Sequence, residues 1–424
     1  MYQDGDTIFA VASGAGRAAV TLLRISGADA GAVLDGLCRR PAPRHAAVRT
    51  LRTSEVLDRA LVLWLPGPGS YTGEDCVELH LHGGRAVLSA VSDALVRLGA
   101  RPAEAGEFTR RAFLNGRMDL VEAEAVADLI ESETTAQRVQ ALRQMDGGLG
   151  DLLHGWADRL TRLLAQQEAL IDFPDEDLPP EVEALMLGDI AGLLGEVSAM
   201  LDDGRRGERL RDGLVFAVVG PPNAGKSTLV NALAAREVAI VSETPGTTRD
   251  VLEVRLDLGG VPVTLLDTAG LREAGDAIEA EGIRRARARM ADADLVLQVA
   301  DDGVFEAIEA AEILRVHTKA DLQRGEELAV SASTGAGMDG LRDALAATAH
   351  RMTHNAGPPP LTRARHRAAL SDAAERLGAA LDATLPELRG EDLRMALRAI
   401  GRITGIVGVE DILDQVFRQF CIGK

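Results

Sequence analysis

The sequence predicts a multidomain fold that combines α/β and all-α parts, and three observations support this prediction. The length of 424 residues favours about three domains, and 46% hydrophobic with 26% charged residues is an ordinary globular composition. Segments with helical spacing, rich in Ala, Leu, Glu and Arg, flank a region where strand and helix signals alternate, from residue 213 to about 349. We therefore expect an N-terminal α/β domain, followed by an α/β domain inserted into one discontinuous helical domain.

The elements follow in order along the chain. In the predicted N-terminal domain, residues 1–118, we expect strands at 18–25, 60–65 and 76–81 and a helix at 86–98. The helical domain is predicted at 119–212 and 352–424, with helices at 121–145, 152–171, 182–201 and through 361–424. Prolines between residues 172 and 180 interrupt it. The inserted domain is predicted at 213–351.

Charge and cysteine usage restrict the function classes. The formal net charge of -19 argues against a large electrostatic footprint on nucleic acid. The cysteines, at positions 38, 76 and 421, are few and far apart, which favours a reduced, cytoplasmic protein. We find no stretch of about 18 apolar residues that would span a bilayer, so no membrane partner is expected.

A phosphate-binding loop is the strongest motif. Residues 220–227, Gly-Pro-Pro-Asn-Ala-Gly-Lys-Ser, follow the predicted strand Leu214–Val219 and precede a predicted helix at 227–234. In such loops, backbone N–H groups and the helix N-terminus face the phosphate oxygens. Lys226 is expected to reach the β- and γ-phosphates, and the Ser227 hydroxyl to hold Mg²⁺.

The other parts of a GTP site occur in the expected order. Asp267 ends a predicted strand and suits an outer-sphere contact to Mg²⁺, while the Gly270 amide can reach the γ-phosphate. Asp321 is expected to accept hydrogen bonds from guanine, with residues 331–333 at the base edge. The predicted GTP-binding residues are Asn223, Ala224, Gly225, Lys226, Ser227, Thr228, Ser242, Glu243, Thr244, Pro245, Gly246, Thr247, Thr248, Asp267, Thr268, Ala269, Gly270, Thr318, Lys319, Asp321, Ser331, Ala332 and Ser333.

The position after the Asp-Thr-Ala-Gly motif carries Leu271, where small signalling GTPases have a glutamine that orients the attacking water. Either hydrolysis is slow, or another group supplies that role. The hydroxyl-rich loop 242–248 is expected to provide a Mg²⁺ ligand. Together with the Asn223 side chain it could also enclose a monovalent cation.

Several motifs resemble one family along essentially the whole chain. They are Tyr-Thr-Gly-Glu-Asp at 71–75, Gly-Glu-Phe-Thr-Arg at 106–110, Thr-Pro-Gly-Thr-Thr-Arg-Asp at 244–250 and the tail Cys-Ile-Gly-Lys at 421–424. The sequence thereby resembles the MnmE (TrmE) family of tRNA-modification GTPases. The resemblance implies a folate-binding N-terminal domain that forms a homodimer, and an inserted P-loop G domain. It also implies a complex with the FAD-containing protein MnmG that installs an aminomethyl-type group at the 5-position of the tRNA wobble uridine.

The resemblance further implies residue roles and cofactors. The one-carbon donor would be 5-formyltetrahydrofolate or methylenetetrahydrofolate, bound by Arg24, Glu78, Arg117 and Lys424. Arg117 stands where the family usually has lysine, and Thr318 where it usually has an asparagine that braces the phosphate loop, so that brace is expected to be weaker. Glu279 would be the catalytic residue that positions water. The ion ligands would be Ser227 and Thr248 for Mg²⁺, and Asn223, Ser242, Thr244 and Thr247 for K⁺.

Two other functions remain open from the sequence alone. A ribosome-assembly or signalling GTPase would use the same nucleotide motifs without one-carbon chemistry. A scaffold would only position folate and tRNA for MnmG, with GTP hydrolysis controlling assembly. The sequence also leaves open which tRNAs are used and whether glycine or ammonium is the second substrate.

Overall fold

A computed structural model describes residues 5–14, 16–172, 180–236, 253–267, 293–305, 307–308, 310, 312–322, 328–354, 357, 359–407, 413, 416–418, 420 and 422–423. The chain divides into two compact units. Unit 1 contains Met1–Ala127, Leu153–Ala157 and Arg398–Lys424, and unit 2 contains Asp128–Leu152 and Asp158–Leu397. The domain boundaries given above stay a prediction.

A six-stranded sheet forms the centre of unit 1. Its strands are β1 (Ile8–Val11), β2 (Val20–Ser26), β3 (Ala47–Arg52), β4 (Val56–Leu65), β5 (Cys76–His82) and β6 (Arg101–Pro102), in the order β3-β4-β5-β2-β1-β6. Neighbours are antiparallel except for β1 and β6. The predicted strands correspond to β2, β4 and β5. The edge strand β3 was not predicted, because only one of its side chains, Leu51, is fully buried.

Each face of this sheet is covered by different helices. The helices α1 (Ala30–Asp35) and α2 (Arg85–Arg97) pack on one face, where alternate residues such as Leu23, Ile25 and Leu79 form the core. Because successive strand residues point to opposite faces, Arg24 and Ser26 lie on the other face. There, α3 (Glu107–Leu114) places Phe108 against Ile8 and Ala10.

The helical part contains α4 (Leu120–Glu131), α5 (Thr135–Met145), α6 (Gly148–Asp172), α7 (Pro180–Leu201), α8 (Arg206–Asp212), α11 (Ala364–Asp382) and α12 (Pro386–Thr404). The prediction of one helix over 121–145 is wrong. Thr134 and Gln137 form a capping box that begins a new helix after residues 132–134. Near the C-terminus, Phe417 and Val416 pack against Leu120 and Ala123 within unit 1.

The stretch Glu181–Asp212 is a candidate membrane span by length and composition alone. This qualifies the expectation that no such stretch exists. Its helix α7 carries a buried stripe at the three- to four-residue spacing of a packed helix: Met186, Ile190, Leu193, Val197 and Met200. α7 packs against α11, so the helical segments on both sides of the insertion meet in unit 2.

The inserted domain is a five-stranded sheet with flanking helices. Its elements are β7 (Leu214–Val219), α9 (Lys226–Arg236), β8 (Glu253–Leu258), β9 (Val261–Asp267), β10 (Leu295–Ala300), β11 (Ile313–His317) and α10 (Met338–Thr353). The strand order is β11-β10-β7-β9-β8, and only β8 is antiparallel to its neighbour. Between β10 and β11, none of the described residues is helical. The carboxyl ends of β7, β9, β10 and β11 therefore share one edge, the usual ligand side of such sheets.

Candidate nucleotide site and N-terminal binding site

The phosphate-binding loop lies at the centre of this edge. β7 is flanked by β9 and β10, so the loop that follows it stands at the point where the chain order reverses, as in other α/β nucleotide sites. Gly220 has φ of +158°, and a Cβ there would come within 2.1 Å of the Val299 carbonyl oxygen. Asn223, exposed at the loop tip, has φ of +65°, a left-handed conformation that asparagine tolerates better than most residues.

The cation of the loop is buried and oriented. Lys226 is 7% exposed, and its Nζ donates to the carbonyls of Gly220 at 2.9 Å and Pro221 at 2.8 Å. Lys226 also begins helix α9, with Ser227 next to it and partly exposed. An ammonium, a hydroxyl and a helix N-terminus thus come together, and they suit a Mg²⁺-bound phosphate chain.

Thr318 joins the base-recognition loop to the phosphate loop. Its buried Oγ1 lies 2.6 Å from the Ala224 carbonyl oxygen and 3.2 Å from that of Ala300, and donates to them. The Thr318 hydroxyl therefore braces the phosphate loop, at the position where we expected an asparagine to brace it more strongly. Whether the brace is weaker than with asparagine stays a prediction.

The base-recognition residues surround the end of β11. Lys319 Nζ lies 2.6 Å from Asp301 Oδ2, and this contact is the main reason that the pKa of Asp301 is lowered. Asp321 is exposed, as a residue that reads a ligand must be. The backbone N–H of Ala320 donates to Val330 O at 3.1 Å, which brings the buried Ser331 beside this loop.

Asp267 occupies the expected position at the end of β9. It is 1% exposed and pairs in register with Val218, the penultimate residue of β7. The structure thus brings Asp267, the phosphate loop and the 318–321 loop to one sheet edge. Several predicted site residues lie outside the described residues: Ser242, Glu243, Thr244, Pro245, Gly246, Thr247, Thr248, Thr268, Ala269, Gly270, Glu279 and Lys424.

A second site in unit 1 is formed by residues from two adjacent strands. Arg24 on β2 pairs in register with Glu78 on β5, and Arg24 Nη2 donates to Glu78 Oε1 at 2.9 Å. The Arg24 guanidinium carbon is 5.2 Å from the Tyr71 ring centre and 5.9 Å from that of Phe108. Among the described residues, no hydrogen bond uses Glu78 Oε2. A cation, a carboxylate and two aromatic rings thus meet, a combination suited to a planar polar ligand.

The 71–75 loop is fixed to α3 and the turn after it. Tyr71 Oη and Thr109 Oγ1 are 2.8 Å apart, and Asn115 Nδ2 donates to the Thr72 carbonyl at 2.7 Å. A Cβ at Gly73 would lie 3.2 Å from Cγ of Arg117, so the loop backbone closely approaches this side chain. Arg117 is exposed. The 71–75 motif is therefore adjacent in space to the 106–110 motif and to Arg117, from which it is distant in sequence.

A buried charge network supports this loop from beneath. Glu107 is fully buried and pairs with Arg101 at 2.7 Å and Arg111 at 3.0 Å, and Arg111 also binds Glu74 at 3.1 Å. Burial raises the pKa of Glu107, but hydrogen bonds from Arg101, the Glu104 backbone N–H and Arg111 outweigh it and lower the pKa overall. Glu74 Oε2 in turn accepts from Ser26 Oγ at 2.7 Å. The network therefore reaches the sheet face that carries Arg24.

The C-terminal tail reaches the same unit. Ile422 forms an isolated β-bridge with Ala105. Gly423 has φ of +101°, and a Cβ there would come within 2.0 Å of the Val11 carbonyl oxygen, so only glycine fits. β1, which contains Val11, is the neighbour of β2 and pairs Ala10 with Arg24.

Sequence reasoning missed several residues that touch these sites. Tyr71 and Phe108 lie in motifs that were noted, but their proximity to Arg24 depends on tertiary packing. Asp301 could have been identified from the sequence, because it directly follows strand β10 at the ligand edge of the sheet.

Comparison with known proteins agrees with the resemblance. Residues 7–117 match the family described as GTP-binding protein TrmE N-terminus, and residues 120–421 match the MnmE helical domain. The tRNA modification GTPase MnmE of Gluconacetobacter diazotrophicus is 58% identical over 428 residues, with 98% of each chain covered. Those of Granulibacter bethesdensis and Rhodospirillum rubrum are each 55% identical, over 439 and 453 residues, with 99% of each chain covered.

These findings confirm the predicted family and fold class: an N-terminal α/β domain, a discontinuous helical domain and an inserted P-loop G domain. They also confirm that the protein is a GTP hydrolase. The chain belongs to the MnmE (TrmE) family of tRNA modification GTPases.

Proposed function

We propose that this GTPase is potassium-dependent and acts on tRNA together with the FAD-containing protein MnmG. It installs an aminomethyl-type group at the 5-position of the wobble uridine, with a tetrahydrofolate one-carbon unit as the carbon source. The single observation that most supports this proposal is the Arg24–Glu78 pair beside Tyr71 and Phe108, with the tail next to strand β1.

The residues present fit a reduced folate. Its pyrimidinone ring is planar and carries N–H donors for a carboxylate such as Glu78, and its glutamate end is anionic. Arg24, the exposed Arg117 and Lys424 would supply cations, of which a guanidinium can bind a carboxylate through two hydrogen bonds. The bound folate would supply the one-carbon unit, while these residues bind and orient it. 5-Formyl- or methylenetetrahydrofolate are the proposed donors.

For the nucleotide we propose contacts from the phosphate-binding loop, the 242–248 loop, residues 267–270 and the base-recognition residues. Ser227 and Thr248 would hold Mg²⁺, and Asn223, Ser242, Thr244 and Thr247 would hold K⁺. Because Leu271 cannot orient water, Glu279 would position the attacking water. The exposed side chain of Asn223 would be one ligand of this cation.

The assembly is proposed to be a homodimer through the N-terminal domains, in a heterocomplex with MnmG. The domain boundaries proposed are residues 1–118, 119–212 with 352–424, and 213–351. Because its substrate is tRNA, we place the protein in the cytoplasm.

Folate binding is tested by calorimetric titration of 5-formyltetrahydrofolate into the full-length protein. Arg24→Ala and Glu78→Ala should each weaken binding by about tenfold or more, because each removes a charged partner, while GTP affinity stays unchanged. Arg97→Ala, an exposed change on α2, is the matched control. Equal affinity in all four proteins would remove Arg24 and Glu78 from the proposed folate site.

The potassium requirement is tested by GTP hydrolysis rates in KCl and NaCl at matched ionic strength. We expect a large rate loss in NaCl, because a bound K⁺ would stabilise the charge that develops on the transferred phosphate. Asn223→Ala should abolish the difference between the salts. Equal rates in both salts for the parent protein would overturn the potassium proposal.

A further inference from the structure

Unit 1 carries an unusual concentration of positive charge at one edge of its sheet. Between residues 39 and 59 there are six arginines and two acidic residues, in a chain whose net charge is -19. One of the six, Arg40, is paired with Asp35 at 2.7 Å. The other five form what we name the edge patch, listed in chain order: Arg39, Arg44, Arg49, Arg52 and Arg59.

The edge patch is not neutralised within the described part of the chain. None of its five guanidinium groups makes an ion pair with a described carboxylate, although arginines elsewhere in unit 1, such as Arg101 and Arg111, are fully paired. Four of the five residues are exposed, and Arg49 is half-buried. Together these cations create a positive potential that favours a partner of opposite charge.

Carbonyl oxygens hold part of the patch in place without cancelling its charge. Arg44 Nη2 donates to Gly69 O at 2.7 Å, and Arg49 Nε donates to Arg39 O at 3.0 Å. Guanidinium groups that are already oriented lose less conformational freedom when they bind an anion.

The positions of the five arginines differ from those expected if the charges only prevented the sheet edge from pairing with another molecule. Charged residues on an edge strand also prevent strand pairing between molecules. That role would need only Arg49 and Arg52, which lie on the edge strand β3. The patch also includes Arg39 and Arg44 in the preceding loop and Arg59 on β4. Arg49 pairs with Ala60, the neighbour of Arg59, so Arg49 and Arg59 point to opposite faces and the patch surrounds the edge rather than following one strand.

We propose that the edge patch binds the phosphate backbone of the tRNA substrate. This inference rests on the proposed function, because tRNA is the polyanion on which the protein acts. Arginine binds phosphate through paired hydrogen bonds, and such contacts position a nucleic acid without reading its sequence. The negative charge of the rest of the chain repels RNA. It therefore directs the tRNA to this edge, which reconciles the acidic composition with a polyanionic substrate.

The test compares two full-length triple variants that lose the same charge. The edge variant carries Arg39→Gln, Arg52→Gln and Arg59→Gln, three exposed side chains that no described hydrogen bond holds. The control variant carries Arg97→Gln, Arg138→Gln and Arg206→Gln, which are also exposed and outside the described ion pairs. The dissociation constant of a fluorescein-labelled tRNA transcript is measured by anisotropy between about 50 and 200 mM KCl, the range over which such contacts lose affinity steeply.

The edge variant should bind tRNA about tenfold more weakly or worse at 100 mM salt. Its plot of log affinity against log salt should be shallower by about one unit for each arginine that contacts a phosphate. The control variant should stay within about twofold of the parent. Unchanged GTP hydrolysis and thermal unfolding in both variants establish that they are folded.

Equal tRNA affinity and salt dependence in the edge and control variants would overturn the inference. A loss of self-association without a loss of tRNA binding, measured by sedimentation, would also overturn it and assign the patch to a second copy of the chain. A parent protein that binds no tRNA would instead refute the proposed action on tRNA, and the edge patch inference with it.

Discussion

At the scale of single residues, Thr318 shows how one hydroxyl can connect two recognition loops. Its Oγ1 donates to the carbonyl of Ala224 in the phosphate loop and to that of Ala300 at the end of β10. A hydroxyl has one hydrogen to donate, so it can satisfy one carbonyl fully or both in part. The conformation of the phosphate loop therefore depends on the loop that also carries Asp321.

Replacement of Thr318 by valine should loosen this connection. Valine keeps the shape of threonine but leaves a buried carbonyl without its donor, at a cost of about 1–3 kcal/mol. We expect the affinity for a fluorescent GTP analogue to fall by about tenfold, and Thr318→Ser, which keeps the hydroxyl, to remain near the parent. Parent-like affinity in the valine variant would show that the contact does not support the nucleotide site.

At the scale of elements, α3 is held to the sheet and to the 71–75 loop by the Glu107 network. Its buried carboxylate binds Arg101 and Arg111, and Arg111 continues to Glu74. Because removing one partner of such a buried group leaves the others uncompensated, the network is sensitive to the ionisation of Glu107.

The pH dependence of this contribution has a definite sign. The pKa of Glu107 is lower in the folded chain than in the unfolded chain, where it is about 4.3. The unfolded state therefore binds the proton more readily. The stabilisation is complete above the unfolded pKa and is lost as the pH falls through the folded pKa.

Glu107→Gln should consequently lower the free energy of unfolding at pH 7, and the difference from the parent should shrink as the pH falls below about 4. The exposed Glu104→Gln is the matched control and should change little at either pH. Chemical denaturation at several pH values measures the free energy of unfolding of the two variants and of the parent. A Glu107→Gln deficit that is constant down to pH 3 would show that ionisation of this residue does not stabilise the fold.

The sequence predicted most elements that carry a strong local signal. The phosphate loop was found because its glycines, lysine and serine have fixed spacing between a strand and a helix. The edge strand β3 and the break before α5 were not predicted, because β3 buries little and a capping box can hide within a helical composition. The Arg24–Glu78 contact depends on the register of two strands that are 54 positions apart, which no local pattern encodes.

At the scale of the whole molecule, the two chain connections of the inserted domain are joined within unit 2. Asp128 Oδ1 accepts from Arg211 at 2.9 Å, just before β7, and from Arg363 at 2.7 Å, just after α10 and its linker. Glu208 and Arg367 make a second link between the same two segments, at 2.7 Å. Burial raises the pKa of Glu208, but hydrogen bonds from Arg367 and Arg205 outweigh the effect of burial, so the pKa is lowered overall. These ion pairs hold together the two segments through which the chain enters and leaves the inserted domain.

The chemical state of the wobble uridine tests the proposed function most directly. We propose mass spectrometry of tRNA nucleosides from a strain that lacks this gene, complemented with the parent or with a single variant. The deletion strain should lack the aminomethyl-type group at the 5-position, and the parent gene should restore it. Lys226→Ala, in the nucleotide site, and Arg24→Ala, in the N-terminal site, should each fail to restore it. A deletion strain whose wobble uridines keep the full modification, or full restoration by both variants, would contradict the assignment.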